Sequence, residues 1–232
     1  MDCPFCNKPL KKNPSRKTKC PHCLEFIYVR TDPTTKEQIF VNKKRADEID
    51  EEWSTTISSY EIVKYLNSVG IDENTFVNKK KALFELYKTP IRDSNVAFIM
   101  LNGLITSFSE SKDYQLLRRI YHTMALIEHL ENRPFFHLLV ETHKCELLHI
   151  LEESKLTGVD EVKIFVPVGE CENCLELDGK VFKIINALET MPLPNSKCNH
   201  GIEENGSSKG WCMCIYQPVI DIQKFLNEKY HQ

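Results

Sequence analysis

Four cysteines near the start of the chain limit its possible folds more than any other feature. They form the pairs Cys3-x-x-Cys6 and Cys20-x-x-Cys23, with thirteen residues between the two pairs. Two such pairs supply four thiolates, which can close a tetrahedron around one Zn²⁺ with bonds of about 2.3 Å. The first ~45 residues contain too little apolar sequence for a core of their own, so we predict that this ion stabilises them.

Two runs with strong β propensity follow the second cysteine pair. They are Phe26–Val29 and Gln38–Val41, and a turn-like segment, Thr31–Lys36, joins them. This order is typical of a β-hairpin. Residues 1–42 are therefore predicted to form a zinc ribbon.

A basic stretch separates the two cysteine pairs. Together with the rings of Phe5, Phe26 and Tyr28, its cations would suit a nucleic acid, because they offer contacts to phosphates and stacking surfaces for bases. The alternative is a solvated loop that balances the negative charge of a zinc ion held by four thiolates. The sequence leaves both interpretations open. The cations are Lys11, Lys12, Arg16, Lys17 and Lys19.

Residues 43–157 are predicted to form a helical domain, because apolar residues recur there at helical spacing. An acidic segment, Lys43–Trp53, is interpreted as a solvated linker helix. The other predicted helices are Ser59–Val69, Asn78–Tyr87, Ser94–Phe108, a helix capped by Asp113, and Pro134–Glu153.

The sequence changes character in residues 158–232. A β-branched run at 162–168 predicts a strand, and short helices are predicted at 183–189 and 221–228. The resulting fold class is mainly α. It consists of a helical bundle flanked by an N-terminal β zinc ribbon and a small C-terminal α+β zinc-binding module.

The C-terminal segment carries a second group of candidate metal ligands, five cysteines and one histidine. Two cysteines separated by a single residue do not fit easily into one undistorted tetrahedron, so only one of the last pair is expected to bind. Zinc is favoured over an iron–sulfur cluster, because the closely spaced ligand run typical of ferredoxins does not occur. The chain is thus predicted to hold two zinc ions. The favoured set of ligands is Cys171, Cys174, Cys198 and Cys212, with Cys214 and His200 as alternates.

The sequence pattern of this segment resembles that of a known protein family. Cys171-x-x-Cys174-x-x-Leu-Asp-Gly-Lys-Val-Phe182, followed by Pro-x-Pro and the closing Cys212-x-Cys214, is similar to the C-terminal motif of phage head-morphogenesis proteins of the Mu F type. The resemblance covers Cys171 to Cys214. It implies a shared metal-stabilised module of phage or prophage origin.

Composition and missing motifs exclude several classes. The net charge of −3 argues against a protein that coats nucleic acid along its whole surface. No apolar run approaches the roughly 20 residues that a membrane span needs, and the first residues do not resemble a signal peptide. Closely paired cysteines suit metal better than disulfides, so we predict a reducing, cytoplasmic location and no membrane partner.

These observations favour a non-enzymatic, zinc-stabilised adaptor that binds protein or nucleic acid, because both cysteine groups can be coordinatively closed. A phage-related assembly role is the specific version that the motif resemblance implies. One alternative is a metal-dependent nuclease that uses the C-terminal cysteine and histidine cluster around His200. Another is a redox protein, which is disfavoured because Glu170, Glu172 and Glu176 would raise the pKa of Cys171.

Overall fold

The computed structural model describes residues 2–167, 172–200 and 210–220, without the side chains of Ser54 and Ile57. About half of the chain is helical, which confirms the mainly α character, and two small antiparallel sheets complete the described elements. The chain divides into two compact units, Met1–Glu61 and Ile62–Gln232. The domain limits predicted at residues 42 and 157 stay predictions.

The first unit contains three strands and the first part of a long helix, and the second unit contains the remaining elements. The first unit comprises β1 (Thr18–Lys19), β2 (Phe26–Thr31), β3 (Gln38–Val41) and the beginning of α1 (Lys43–Asn67). The second comprises the end of α1, α2 (Glu73–Tyr87), α3 (Asp93–Ser111), α4 (Tyr114–Leu130), α5 (Phe136–Thr157), β4 (Glu161–Phe165), α6 (Glu172–Leu175), β5 (Val181–Lys183), α7 (Ile184–Thr190) and β6 (Ile215–Pro218).

The predicted hairpin is present. β2 pairs with β3 in antiparallel register from Tyr28 opposite Val41 to Thr31 opposite Gln38, and β1 pairs with the other edge of β2. The connecting turn is held by the carboxylate of Asp32, which accepts hydrogen bonds from the backbone N–H groups of Thr34 and Thr35 at 2.9 Å. These bonds lower the pKa of Asp32, because they favour its charged form.

Helix α1 is continuous, whereas the sequence predicted two helices, Lys43–Trp53 and Ser59–Val69. No glycine or proline interrupts it, and ion pairs such as Lys43–Asp47 at 2.8 Å support its charged first turns. Ser59 was predicted to cap the second helix. Its hydroxyl instead donates to the carbonyl of Thr55, one turn back within the same helix.

The acidic part of α1 is more than a solvated linker, because it is bonded to the hairpin. The guanidinium of Arg30 donates two hydrogen bonds to the carboxylate of Asp50, at 2.7 and 2.9 Å. The indole N–H of Trp53 donates to the carbonyl of Thr31 at 2.8 Å, and Lys36 lies over the Trp53 ring. The first unit therefore includes this helical segment as well as the sheet.

The helices of the second unit bury one apolar core, whose fully buried members include Ile62, Leu66, Leu101 and Ile120. Asp113 caps α4 as predicted, since its side chain accepts from the backbone N–H of Leu116 at 3.0 Å. The other helix ends differ from the predictions by a few residues.

A second core lies between α5 and the small sheet of order β5-β4-β6. Leu147 and Ile150 of α5 pack there with Val162 and Ile164 of β4, and α7 covers the same core. The predicted strand at 162–168 ends at Phe165, while its last residue and the helix predicted at 221–228 lie outside the described residues. Among the residues described, no helix has the length and apolar character needed to cross a membrane.

Candidate metal centres

The four cysteines of the first unit lie together. The Sγ atoms of Cys3, Cys6, Cys20 and Cys23 all lie within 4.8 Å of one another. Sγ of Cys3 is 3.7 Å from Sγ of Cys23, and Sγ of Cys6 is 3.9 Å from Sγ of Cys20. Four bonds of about 2.3 Å to one tetrahedral ion would separate the sulfur atoms by about 3.8 Å. The four thiols therefore fit the ligand set of a single ion.

Two loops with the same backbone pattern present these thiols. In the first loop Cys3 N–H donates to Lys8 O, Asn7 N–H donates to Cys3 O, and Phe5 N–H donates to Cys3 Sγ. The second loop contains the same three bonds, each seventeen residues later. Cys20 N–H donates to Glu25 O, Leu24 N–H donates to Cys20 O, and His22 N–H donates to Cys20 Sγ. Asn7 and Leu24 both have positive φ, at 52° and 66°. N–H groups aimed at sulfur favour the thiolate form that a metal requires.

The protonation of the thiols reflects their mutual contacts. Burial raises the pKa of Cys20, but hydrogen bonds from the backbone of Cys23 and His22 and from neighbouring thiols outweigh it and lower this pKa to about 6. Cys23 receives a backbone hydrogen bond that lowers its pKa, but burial and its bonds to the other thiols raise it to about 12. Cys23 thus retains its proton, which a bound cation would displace.

All five cations predicted to bind nucleic acid are exposed and belong to the first unit. Lys17 and Lys19 lie against the aromatic rings of Phe26 and Tyr28. None of the five forms an ion pair with another residue that the structure describes. The set is Lys11, Lys12, Arg16, Lys17 and Lys19.

Three cysteines of the second unit form another group. The Sγ atoms of Cys174, Cys198 and Cys212 lie within 4.8 Å of one another, and all three residues are buried. Cys171, the fourth predicted ligand, lies outside the described residues. The alternates Cys214 and His200 are described but do not belong to this group. No disulfide joins any two of the nine cysteines that the structure describes.

The group assembles from three separate segments. Cys174 lies in α6, Cys198 follows α7, and Cys212 precedes β6. The backbone N–H groups of Gly210 and Trp211 donate to the carbonyls of Cys198 and His200, at 3.1 and 2.9 Å, which brings Cys212 to Cys198. Hydrogen bonding to Cys212 and burial both raise the pKa of Cys198, so a metal would have to displace its proton.

Asn195 is a supporting residue that the sequence did not reveal. Its backbone N–H lies 3.4 Å from Sγ of Cys212, and its side-chain amide lies 3.7 Å from Sγ of Cys174. The same amide donates to the carbonyl of Asn173 at 2.8 Å. One asparagine thus orients two of the three thiols, as residues around a metal commonly do for the direct ligands.

Trp211 connects the thiol group to the helices, and the sequence did not predict this role either. Its ring lies 5.6 Å from the ring of His122, 5.2 Å from that of His129, and 5.2 Å from that of Phe135, measured between centroids. Burial lowers the pKa of both histidines, which favours neutral rings in this apolar setting. The residue next to Cys212 is therefore anchored between α4 and the start of α5.

Replacement of one ligand tests the first group. Cys20→Ser is expected to lower the metal content by one ion per chain and to unfold the sheet of the first unit, because its core is built around the thiols. Cys145→Ala is the matched control, since Cys145 is buried in α5 and belongs to neither group. Metal analysis and circular dichroism measure the effect. Equal metal content in both variants would contradict the assignment.

Leu24 offers a test of the repeated loops. A leucine with φ of 66° is strained, whereas asparagine tolerates this conformation and already occupies the equivalent position 7. Leu24 is 67% exposed, so its side chain contributes little to the core. Leu24→Asn is expected to stabilise the metal-loaded first unit by up to about 1 kcal/mol, measured by denaturant unfolding. Asn7→Leu should have the opposite effect.

Gly210→Ala tests how the second group is assembled. A Cβ at this position would lie 2.5 Å from the carbonyl oxygen of Cys198, so the two segments must separate. We expect loss of one metal ion and a red shift of Trp211 fluorescence, recorded in a Trp53→Phe background that leaves Trp211 as the single tryptophan. Gly103→Ala is the control, because nothing lies within 4 Å of its Cβ position. An unchanged Trp211 spectrum in Gly210→Ala would refute this assembly.

The chain was also compared with known proteins. No family model, curated protein or solved structure matched it. The metal-binding capacity of the two groups is therefore inferred from the thiol geometry alone. The resemblance of Cys171–Cys214 to the head-morphogenesis motif stays a prediction from the sequence.

Proposed function

We propose that the chain is a non-enzymatic adaptor whose two zinc ions hold binding surfaces for protein or nucleic acid in place. The observation that supports this proposal most directly is the geometry of the first thiol group. Sγ of Cys3 lies 3.7 Å from Sγ of Cys23, and Sγ of Cys6 lies 3.9 Å from Sγ of Cys20. Four thiolates fill the coordination sphere of a tetrahedral zinc ion and leave no position for water or substrate. Such an ion stabilises a fold and performs no chemistry.

The second group is proposed to close in the same way, with Cys171 as the fourth ligand beside Cys174, Cys198 and Cys212. The two residues between Cys171 and Cys174 give the spacing of the paired ligands in structural zinc sites. The surroundings of the three described thiols are apolar, since Ile184, Leu193 and Cys214 are buried in the same core. A buried, sulfur-only site suits a structural role better than catalysis, which needs access for substrate.

The charge distribution supports a role in assembly. Exposed cations that form no ion pair with the described residues lie between the two N-terminal cysteine pairs, whereas α1 carries acidic residues such as Asp47 and Glu51. Surfaces of opposite sign on one protein favour correctly oriented association with charged partners. The C-terminal motif suggests the context, namely assembly of phage or prophage particles.

The proposal predicts a fixed metal content without hydrolytic activity. Protein purified without added zinc should contain two zinc ions per chain, determined by metal analysis together with native mass spectrometry. Addition of Mg²⁺ or Mn²⁺ should produce no cleavage of single-stranded or duplex DNA or RNA. Cleavage that is lost in His200→Ala would overturn the proposal in favour of a nuclease. One ion per chain would show that the C-terminal thiols do not form a second site.

A further inference from the structure

One face of the β1-β2-β3 sheet presents aromatic rings to solvent. Phe26 and Tyr28 lie two residues apart on β2, so their side chains point to the same face. Ile27, between them, points to the other face and is fully buried with Cys3 and Cys20. Phe26 is 43% exposed, although it lies in a paired strand. Ile27 thus packs in the core on one face, whereas on the other face Phe26 is exposed and Tyr28 is half-buried.

Lysine side chains lie over these rings. Lys19 pairs directly with Phe26 across β1 and β2. The ammonium group of Lys17 is 4.6 Å from the centroid of Phe26 and 5.0 Å from that of Tyr28, and that of Lys19 is 5.3 Å from Phe26. We call Lys17, Lys19, Phe26 and Tyr28 the aromatic–lysine face. Its ring surfaces contact ammonium groups, which a ligand can displace.

The positive charge of this face is not neutralised within the described chain. Residues 1–42 contain eight lysines and arginines but only four aspartates and glutamates. Three other cations near the sheet pair with carboxylates of α1, namely Arg30, Lys43 and Arg45. Lys17 and Lys19, by contrast, have no ion pair among the described residues. Lys11, Lys12 and Arg16 extend the same unpaired charge along the chain. A zinc ion held by four thiolates offsets only part of it, because that site carries a net charge of −2.

We propose that the aromatic–lysine face binds single-stranded nucleic acid, with bases stacked on Phe26 and Tyr28 and phosphates contacted by Lys17 and Lys19. This inference rests on the proposed function, because it takes the sheet to be held by the zinc-bound thiols and names the partner of that unit. A duplex keeps its bases stacked on each other, so only an unpaired strand can offer base faces to the rings. An acidic peptide would use the cations but gain nothing from the rings.

The present contacts also suggest how the ligand is accommodated. A base that stacks on Phe26 takes the position over the ring that the ammonium groups of Lys17 and Lys19 now occupy. The displaced ammonium groups remain within side-chain reach of the phosphates on either side of that base. Rings and cations then contribute together, and neither alone gives the full affinity.

Binding of short fluorescein-labelled oligothymidylate and oligouridylate to the full chain, followed by fluorescence anisotropy, tests this inference. Phe26→Leu keeps apolar bulk but removes the ring, and should weaken binding roughly tenfold or more, while Phe26→Tyr should restore it. The matched control is Phe84→Ala, because Phe84 of α2 is 45% exposed and lies outside the first unit. Zinc content and circular dichroism are measured for every variant.

The salt dependence of oligonucleotide binding tests the phosphate contacts of Lys17 and Lys19. Replacement of Lys17 and Lys19 by glutamine should reduce the slope of log affinity against log salt by about 1.4, since each phosphate contact on a single strand contributes about 0.7. Lys79 and Lys81, exposed on α2, are the control pair, and their replacement by glutamine should leave the slope unchanged.

The outcomes separate this inference from the proposed function. If the wild-type chain holds two zinc ions but binds neither oligonucleotide, or binds a duplex equally well, the inference is wrong and the adaptor proposal stands. If polyglutamate competes as strongly as oligothymidylate and Phe26→Leu has no effect, the face recognises acidic protein instead. If the chain lacks zinc, the proposed function fails whatever the oligonucleotides do.

Discussion

The structure depends on keeping several sulfur atoms close together, most of them on buried cysteines. Thiols are weak hydrogen-bond donors, and buried thiolates repel one another, so such a group is unfavourable until a cation binds to it. In the first unit one small core cluster consists of the four cysteines with Ile27, Leu10 and Phe40, and Ala46 and Ile49 of α1 are also buried. So few apolar side chains cannot offset the entropy of ordering the chain. We therefore propose that folding of this sheet and binding of an ion by its four thiols are one equilibrium.

The two thiol groups differ in how the chain builds them. Each pair of the first group lies within one short loop, so most of its geometry is local. The second group takes Cys174 from α6, Cys198 from the segment after α7, and Cys212 from the segment before β6. It forms only when the β5-β4-β6 sheet has brought these segments together. An ion at the first group enables folding, whereas an ion at the second group reinforces a core that already includes Leu147 and Ile164.

The sequence predicted those structural features that depend on the spacing of residues close together in the chain. The hairpin, the Asp113 cap and the meeting of Cys3, Cys6, Cys20 and Cys23 follow from residues close together in the chain. The continuous α1 was missed because Ser59 was interpreted as a helix start, although its hydroxyl is satisfied inside the helix. The contacts of Trp211 with His122 and His129 could not be predicted, since residues 80 or more positions apart meet only through tertiary packing.

The repetition of one backbone pattern at Cys3 and Cys20 has a consequence for how such a unit could arise. Two copies of such a six-residue loop, placed seventeen residues apart, would create a complete four-thiol chelator, with no need for a pre-existing core. A gene could therefore gain a small folded unit by copying a very short stretch of DNA. Such a unit could be joined to an unrelated domain without altering the interior of that domain.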